Sequence, residues 1–440
     1  MLKSINRLIL SLIMMATGQC FAQEGPNIKF KNYGIPEGLS MSTVFDIAQT
    51  SDGYIWVATA DGLNRFDGYE FKVYKNIPKD KNSLQENYIT ALETDDKGNL
   101  WVGTNGGFLG CFNTKTQKYI RKPLLIQDGK QNSSNITDIF WDKERYIWVG
   151  TEANGLIRID SNSLYNYTTK NSNLSSDYVL NIHKELGSNN LWLGVFNGLN
   201  CLNYSNLTIK DKVLLSGGSV LDITQRGDTL IASTQENGRF LFVDDKRISM
   251  SEFDQTMAIM DFHIDRNGNE WLGLFKEGLK VHLPTGKYLE FKHSTSKRNS
   301  LVNDVVLKIF EDKTGNIWIG TLSGLSLYSP IIYQFGQIGA QNGNITGLLD
   351  ENVYYVYESL QGDIWFCTYN GGISKLNLKT KKVINYDISN TKGLANNSTN
   401  SLLQEDLDNY WVGSANGGLY LFNEKKKEFK EIQFETTPAY

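Results

Sequence analysis

One sentence of sequence recurs along this chain. Asp52-Gly-Tyr-Ile-Trp-Val-Ala-Thr-Ala-Asp-Gly-Leu-Asn-Arg-Phe-Asp67 returns as Asp96-Lys-Gly-Asn-Leu-Trp-Val-Gly-Thr-Asn-Gly-Gly-Phe108 and as Asp312-Lys-Thr-Gly-Asn-Ile-Trp-Ile-Gly-Thr-Leu-Ser-Gly-Leu325. Tryptophans mark each copy: Trp56, Trp101, Trp148, Trp192, Trp271, Trp318, Trp365 and Trp411. The long gap between Trp192 and Trp271 holds a worn copy at Thr229-Leu-Ile-Ala-Ser-Thr234, with Ile231 in the tryptophan position. That makes nine copies. A repeat of this length outranks any local propensity in deciding the fold.

The mean spacing is about 44 residues, the length of a four-stranded propeller blade. The second copy supplies four strand candidates at 89–94, 100–104, 108–113 and 118–121. The residue two after the tryptophan is always small: Ala58, Gly103, Gly150, Gly194, Ser233, Gly273, Gly320, Cys367 and Gly413. A neighbouring blade on that face would impose such a limit, because a larger side chain would overpack it. A glycine follows five to seven residues after each tryptophan position, as a turn with positive φ requires. The expected fold is all-β: a seven-bladed β-propeller followed by the first two blades of an incomplete second one. Nine blades exceed the usual four to eight in a ring. Ile28–Tyr33 would serve as the fourth strand of blade seven, giving a first ring over 23–330 and two further blades over 331–440.

Residues 1–22 stand apart. Lys3 and Arg7 precede the apolar run Leu8–Ala16, and Cys20-Phe-Ala22 fits a small-x-small cleavage site before Gln23. This predicts a secretory signal peptide cut after Ala22, hence a periplasmic protein. No later apolar segment is long enough to span a bilayer. Lys plus Arg (44) nearly balances Asp plus Glu (48), which provides no field to recruit nucleic acid. Cys111, Cys201 and Cys367 remain after cleavage, an odd number spread over three copies, and read as buried free thiols. Trp141 lies outside the repeat position and reads as core. No pair of cysteines has metal-ligand spacing, there is no phosphate-cradling glycine loop, and no cofactor is implied.

The repeat D-x-x-G-x-[IL]-W-[IV]-G-T-x-x-G-L, opened by Glu37-Gly-Leu-Ser40 and closed by Asn64-Arg-Phe-Asp-Gly-Tyr69, resembles the two-component regulator propeller repeat. The resemblance covers residues 28–434. It implies the periplasmic sensor region of a hybrid two-component histidine kinase that detects a glycan or oligosaccharide, and a homodimer for the full-length sensor. Kinase domains of that plan are absent from these residues, so the expectation is a sensor fragment or truncated product. The four histidines, His183, His263, His282 and His293, all fall inside repeats, where a phospho-acceptor helix does not fit.

The D-x-G-x-x-W pattern (Asp96, Gly98, Trp101) also resembles the Asp-box of sialidases, but turn geometry and inter-blade packing account for it. Where copies disagree, function has room. Six copies follow the tryptophan strand with Thr. Copy four has Val195-Phe196-Asn197-Gly198, copy six has Leu274-Phe275-Lys276-Glu277-Gly278, and copy eight has Tyr369-Asn370. Exposed aromatics beside amides and charges suit sugar recognition, so Phe196, Asn197, Phe275, Lys276, Glu277, Tyr369 and Asn370 are the candidate ligand-binding residues. No catalytic or metal-binding residue is assigned. The alternatives are a propeller-fold carbohydrate-active enzyme, either lyase or glycosidase, and a protein–protein interaction scaffold.

Overall fold

The tryptophan strand is the second of four in each sheet, enclosed by the strands on either side of it. The computed structural model describes residues 28–126, 129–143, 145–160, 163–196, 198–214, 218–243, 246–250, 257–297, 299–330, 338–339, 345–415 and 418–433. The signal-peptide and Cys20 readings lie outside these residues, as does Asn197. The chain divides into two compact units, Met1–Pro330 and Ile331–Tyr440.

Among the described residues of the first unit there are seven antiparallel four-stranded sheets. Their first strands are Val44–Gln49, Ile89–Thr94, Ile136–Trp141, Val179–Lys184, Val220–Arg226, Ile259–Ile264 and Val306–Glu311. Each first strand neighbours that of the next sheet, and the seventh neighbours the first, so the sheets close into a ring. Lys31–Tyr33 completes the seventh sheet by pairing with Gly324–Tyr328, in the register Lys31 to Leu327 and Tyr33 to Leu325. The fourth strand of that sheet therefore comes from the chain's other end. Fastening a ring in this way leaves no unmatched blade face.

Packing between sheets explains the repeat. The Trp56 face of sheet 1 buries Trp56, Ala58 and Leu63 against Ile89, Leu92, Leu100 and Val102 of sheet 2. Each aliphatic side chain buried in such a joint is worth about 1.5–3 kcal/mol. The small residue two after Trp is small for a steric reason. A Cβ on Gly103 would come 2.5 Å from Ile136 of the next sheet, and one on Gly273 would come 2.6 Å from Val306. The glycine of the turn between second and third strands is required as well: Gly155 has φ +71°, and its Cβ would meet the Tyr167 carbonyl at 2.0 Å. In most copies the Thr ending the second strand donates its hydroxyl across this turn, as Thr59 does to the Gly62 carbonyl (2.9 Å) and Thr321 to that of Gly324 (2.8 Å).

The acidic residue before the tryptophan strand is architectural. Trp271 and Trp318 each donate an indole N–H to Asp265 and Asp312 at 2.9 Å, and Trp101 donates to Asp95 at 3.2 Å. The partner stands six residues before the tryptophan. In the second copy this is Asp95 and not Asp96, the residue the Asp-box pattern picks out. Trp192 uses Glu185 (3.2 Å) and Trp56 the hydroxyl of Thr50 (3.0 Å). Cys111, Cys201 and Cys367 are free and buried, as their spacing suggests, and Trp141 is half-buried against the Ile147 and Ile157 cluster.

The second unit contains two four-stranded sheets among its described residues. The first runs through Val353–Glu358, Ile364–Thr368, Ile373–Asn377 and Lys382–Tyr386; the second through Thr399–Gln404, Asn409–Ser414, Gly418–Asn423 and Glu428–Ile432. Trp365 and Cys367 of the former are buried against Leu402, Tyr410 and Val412 of the latter. This joint is built like those of the first unit. Among the described residues no helix is long and apolar enough to cross a membrane.

Candidate functional site

The turns between second and third strands form the rim of the ring. Their leading residues are pinned to the start of the innermost strand of their own sheet. Phe196 N–H donates to the Tyr178 carbonyl (3.1 Å), Phe275 N–H to Ala258 (3.0 Å) and Leu322 N–H to Val305 (3.1 Å). Asn105, Glu152 and Gln235 make the equivalent bonds to Tyr88, Asn135 and Ser219. The backbone at this position is thus fixed while its side chain is free to vary. Among the aromatics, Phe196 is 51% exposed and Phe275 45%.

Phe196 lies parallel to Tyr178, with ring centroids 6.5 Å apart and planes inclined by 5°. The Lys276 ammonium folds back over the Phe275 ring at 5.0 Å, and Glu277 is exposed beside it. Lys276 adopts φ 65°, which places a non-glycine residue in the left-handed region at the tip of the turn. Phe196 and Phe275 belong to sheets four and six, with sheet five between them. Tyr369 and Asn370 occupy the same repeat position in the second unit. There Tyr369 N–H donates to the Asn352 carbonyl (3.0 Å), its ring meets Tyr354 edge-on, and Asn370 N–H donates to Asp350 (2.6 Å). Two aromatics on the rim side were missed from sequence: Phe45 and Tyr88 stack at 5.1 Å between sheets one and two. They precede the tryptophan strand, outside the segment where the copies were compared.

A second feature of the first unit was also missed. Every innermost strand carries a β-bulge near its start, with register shifts at Val44/Asp46, Ile89/Ala91, Ile136/Asp138, Val179/Asn181, Val220/Asp222, Ile259/Asp261 and Val306/Lys308. Bulges re-aim side chains, and these set one position per sheet around the axis of the ring. Its occupants are Asp46, Ala91, Asp138, Asn181, Asp222, Asp261 and Lys308. Three of the aspartates tie neighbouring sheets together. Asp46 accepts from Leu92 N–H (2.7 Å), Asp138 from Ile182 N–H (2.7 Å) and Asp261 from Ile309 N–H (2.6 Å). The Lys308 ammonium sits 3.6 Å from Asp261 and 3.7 Å from Asp46.

Asp46, Asp138 and Lys308, with Glu93 and Phe310, line a cavity of about 220 Å³. Burial raises the Asp138 carboxyl to about 7 against the pull of Lys308, and burial with the nearby Asp261 raises Asp222 to about 7. Glu93 is pushed well above the usual carboxylate range by burial and by Asp138 and Asp46. Asp261 and the other aspartates hold the Lys308 proton more tightly than usual. The arrangement sets one cation among buried carboxyls, and Glu93, Asp138 and Asp222 are each raised in pKa by burial and neighbouring negative charge. Among the described residues no group of three or more His, Cys, Asp or Glu side chains is placed to hold a metal ion.

Four segments, 38–61, 83–106, 130–153 and 300–323, match the two component regulator propeller family model. The chain carries two-component regulator propeller repeats. The chain is also 28% identical to histidine kinase P4 of Formosa agariphila across 94% of its own length, spanning 38% of that protein. Among solved structures it resembles extracellular domains ascribed to two sensor systems of B. thetaiotaomicron. One, ascribed to a hybrid two component system, has a TM-score of 0.64 at 20% identity, over 91% of this chain and 66% of that one. The other, ascribed to a one component system, has 0.58 at 20% identity, over 92% and 61%. A streptogramin B lyase shares the fold with a TM-score of 0.53 at 15% identity, over 69% of this chain and 97% of that one. The chain thus spans 38% of the length of the histidine kinase and 61–66% of the two sensor domains.

Proposed function

We propose that this chain is the ligand-sensing propeller region of a two-component sensor, exported to the periplasm, that binds a glycan or oligosaccharide. In this reading 1–22 is the removed leader, and 331–440 supplies two blades of a second propeller. Signalling belongs to the remainder of a larger sensor, whose phosphotransfer is not assigned to His183, His263, His282 or His293. The observation that carries the ligand reading is the rim. Phe196 and Phe275 are half-exposed aromatics on turns whose backbones are clamped to the innermost strands, with Lys276 and Glu277 beside them. Rigid aromatic faces flanked by a few polar groups suit a sugar ring, whose apolar face stacks while its hydroxyls are fixed.

The test is calorimetry of the chain against an oligosaccharide panel. Phe196→Ala and Phe275→Ala should each weaken the binding found by about tenfold, or about 1.4 kcal/mol. Unchanged affinity in both variants removes the rim from the site, and cleavage of a panel member favours a carbohydrate-active enzyme.

A further inference from the structure

The turns that join first strands to second lie at the opposite end of the innermost strands from the rim. At three joints of the ring such a turn is tied to the next sheet by an accepting side chain. Lys313 N–H donates to Gln49 (2.8 Å), Leu186 N–H to Gln225 (2.7 Å) and Arg266 N–H to Glu311 (3.1 Å). Gln49, Gln225 and Glu311 hold one position of the repeat, opposite Ile55, Leu230 and Ile317. In sheet four that position is Lys184, opposite Leu191. An ammonium donates and cannot accept, so Lys184 offers no such tie to the turn of sheet three at Lys143.

A cavity of about 430 Å³ opens at this joint, with Phe140, Trp141, Lys143, His183, Lys184 and Leu186 on its walls. Small-molecule sites commonly measure about 300–1,000 Å³. Asp142 and Glu185 also border the cavity, but both are engaged in their own turns. Asp142 accepts from Arg145 N–H (2.7 Å), Tyr146 N–H (2.9 Å) and the Tyr204 hydroxyl. Glu185 accepts from Ser188 (2.7 Å), Asn190 (2.8 Å) and Trp192 (3.2 Å).

The cations are not engaged in this way. Among the described residues neither Lys143 nor Lys184 forms an ion pair, and the Lys184 ammonium rests over the Tyr204 ring at 4.1 Å. A third ammonium, that of Lys97, lies 5.9 Å from the Trp141 ring. Trp141 Nε1 and His183 Nε2 are buried without a hydrogen-bond partner. Burial holds the His183 imidazole below its usual pKa against the pull of Gln225 and Glu185, so it is neutral at pH 7. Leu186 is 76% exposed on a turn fixed by its tie to Gln225.

We propose that this cavity binds a small ring that carries a carboxylate. The carboxylate pairs with Lys143 and Lys184, and the ring lies against Phe140, Trp141 and Leu186. Ionised partners make the stronger hydrogen bonds, and the lysines are the charges left over for them. An aromatic acid and a sugar acid share this chemistry. The walls all come from sheets three and four, so the site is complete within the first unit and separate from the rim.

The experiment is calorimetry of the full chain with benzoate, D-glucuronate and their neutral counterparts, benzyl alcohol and D-glucose. At least one acid should bind, and more tightly than its counterpart. Glucuronate alone would assign a sugar acid, and benzoate alone an aromatic one. Lys184→Gln and Lys143→Gln should each weaken that binding by about tenfold. Lys184→Gln introduces the acceptor found at other joints, and Lys143 is exposed, so both variants should keep the wild-type circular dichroism spectrum. Phe196→Ala and Phe275→Ala should leave the affinity unchanged, which separates this site from the rim. Binding of neither acid, equal binding of the neutral counterpart, indifference to either lysine, or a loss in the rim variants would each overturn the proposal.

Discussion

Val44 of the first sheet stands so close to Gly320 of the seventh that a Cβ on the glycine would lie 2.6 Å from Val44 Cγ1. This is the contact at which the ring closes. The two residues are far apart in sequence and come from the first and last complete repeats of the first unit. Gly320→Ala should cost about 1–3 kcal/mol through overpacking, since a β-branched valine cannot swing its methyl aside. The midpoint of urea unfolding should fall. Restoration by Val44→Ala in the double variant would assign the loss to this contact, and additivity of the two changes would refute it.

Lys308 is the one cation among the seven axial bulge positions. Its side chain is 31% exposed, against 14% for Asp46 and 8% for Asp261. Lys308→Met leaves both aspartates facing Asp222 and Asp138 without a counter-charge. Breaking a fully buried pair costs about 3–5 kcal/mol and an exposed one about 0–1, so this partly wetted site should lose about 2 kcal/mol at pH 8. The loss should shrink at pH 5, where Asp138 and Asp222, raised to about 7, take up protons and no longer repel their neighbours. An equal loss at both pH values would mean that the lysine acts through packing alone.

The raised axial carboxyls set a pH trend. Asp138 and Asp222, each moved to about 7 by burial, bind protons more tightly in the folded state than in the unfolded one. Their contribution to stability is thus greatest at acidic pH and declines as pH rises from about 4 to about 7. The slope is about 1.4 kcal/mol per pH unit for each proton held. Glu93→Gln should raise stability at pH 8 by removing a buried carboxyl that faces Asp138 and Asp46. Chemical denaturation of the two proteins at pH 6 and 8 measures this, and a Gln variant less stable at both values would contradict it.

Glu270 works in the opposite sense. It is almost fully buried, and it accepts from Arg239 at 2.9 Å, from Arg226, and meets His282 at 3.3 Å. Burial alone would raise its carboxyl, but Arg239 and Arg226 hold it below the usual range. Its contribution is complete at neutral pH and is lost as pH falls through that lowered value. Glu270→Ala leaves the Arg239 guanidinium, 6% exposed, without its carboxylate and should cost about 3–5 kcal/mol at pH 7. Thermal unfolding at pH 7 checks the size of the effect. A change below about 1 kcal/mol would show that the arginines find other partners.

What the sequence determined by itself is the sheet and its joint. Trp56, Ala58, Thr59 and Gly62 name the buried strand, the face that must stay small, and the turn; these are contacts within one repeat or with the next. Such local and nearest-neighbour constraints recur in every copy, and comparing copies makes them visible without coordinates. The strand Lys31–Tyr33 was legible for the same reason, since its pattern matches the fourth strands of later repeats. Only the tertiary structure decided what the ring gathers on its axis. Asp46, Asp138, Asp222, Asp261 and Lys308 stand in five different repeats, tens of residues apart, and each alone reads as a polar residue in a strand. Bulges aim them, and closure brings them together, so the raised carboxyls of Asp138 and Asp222 and the pairing of Lys308 belong to the ring rather than to any repeat.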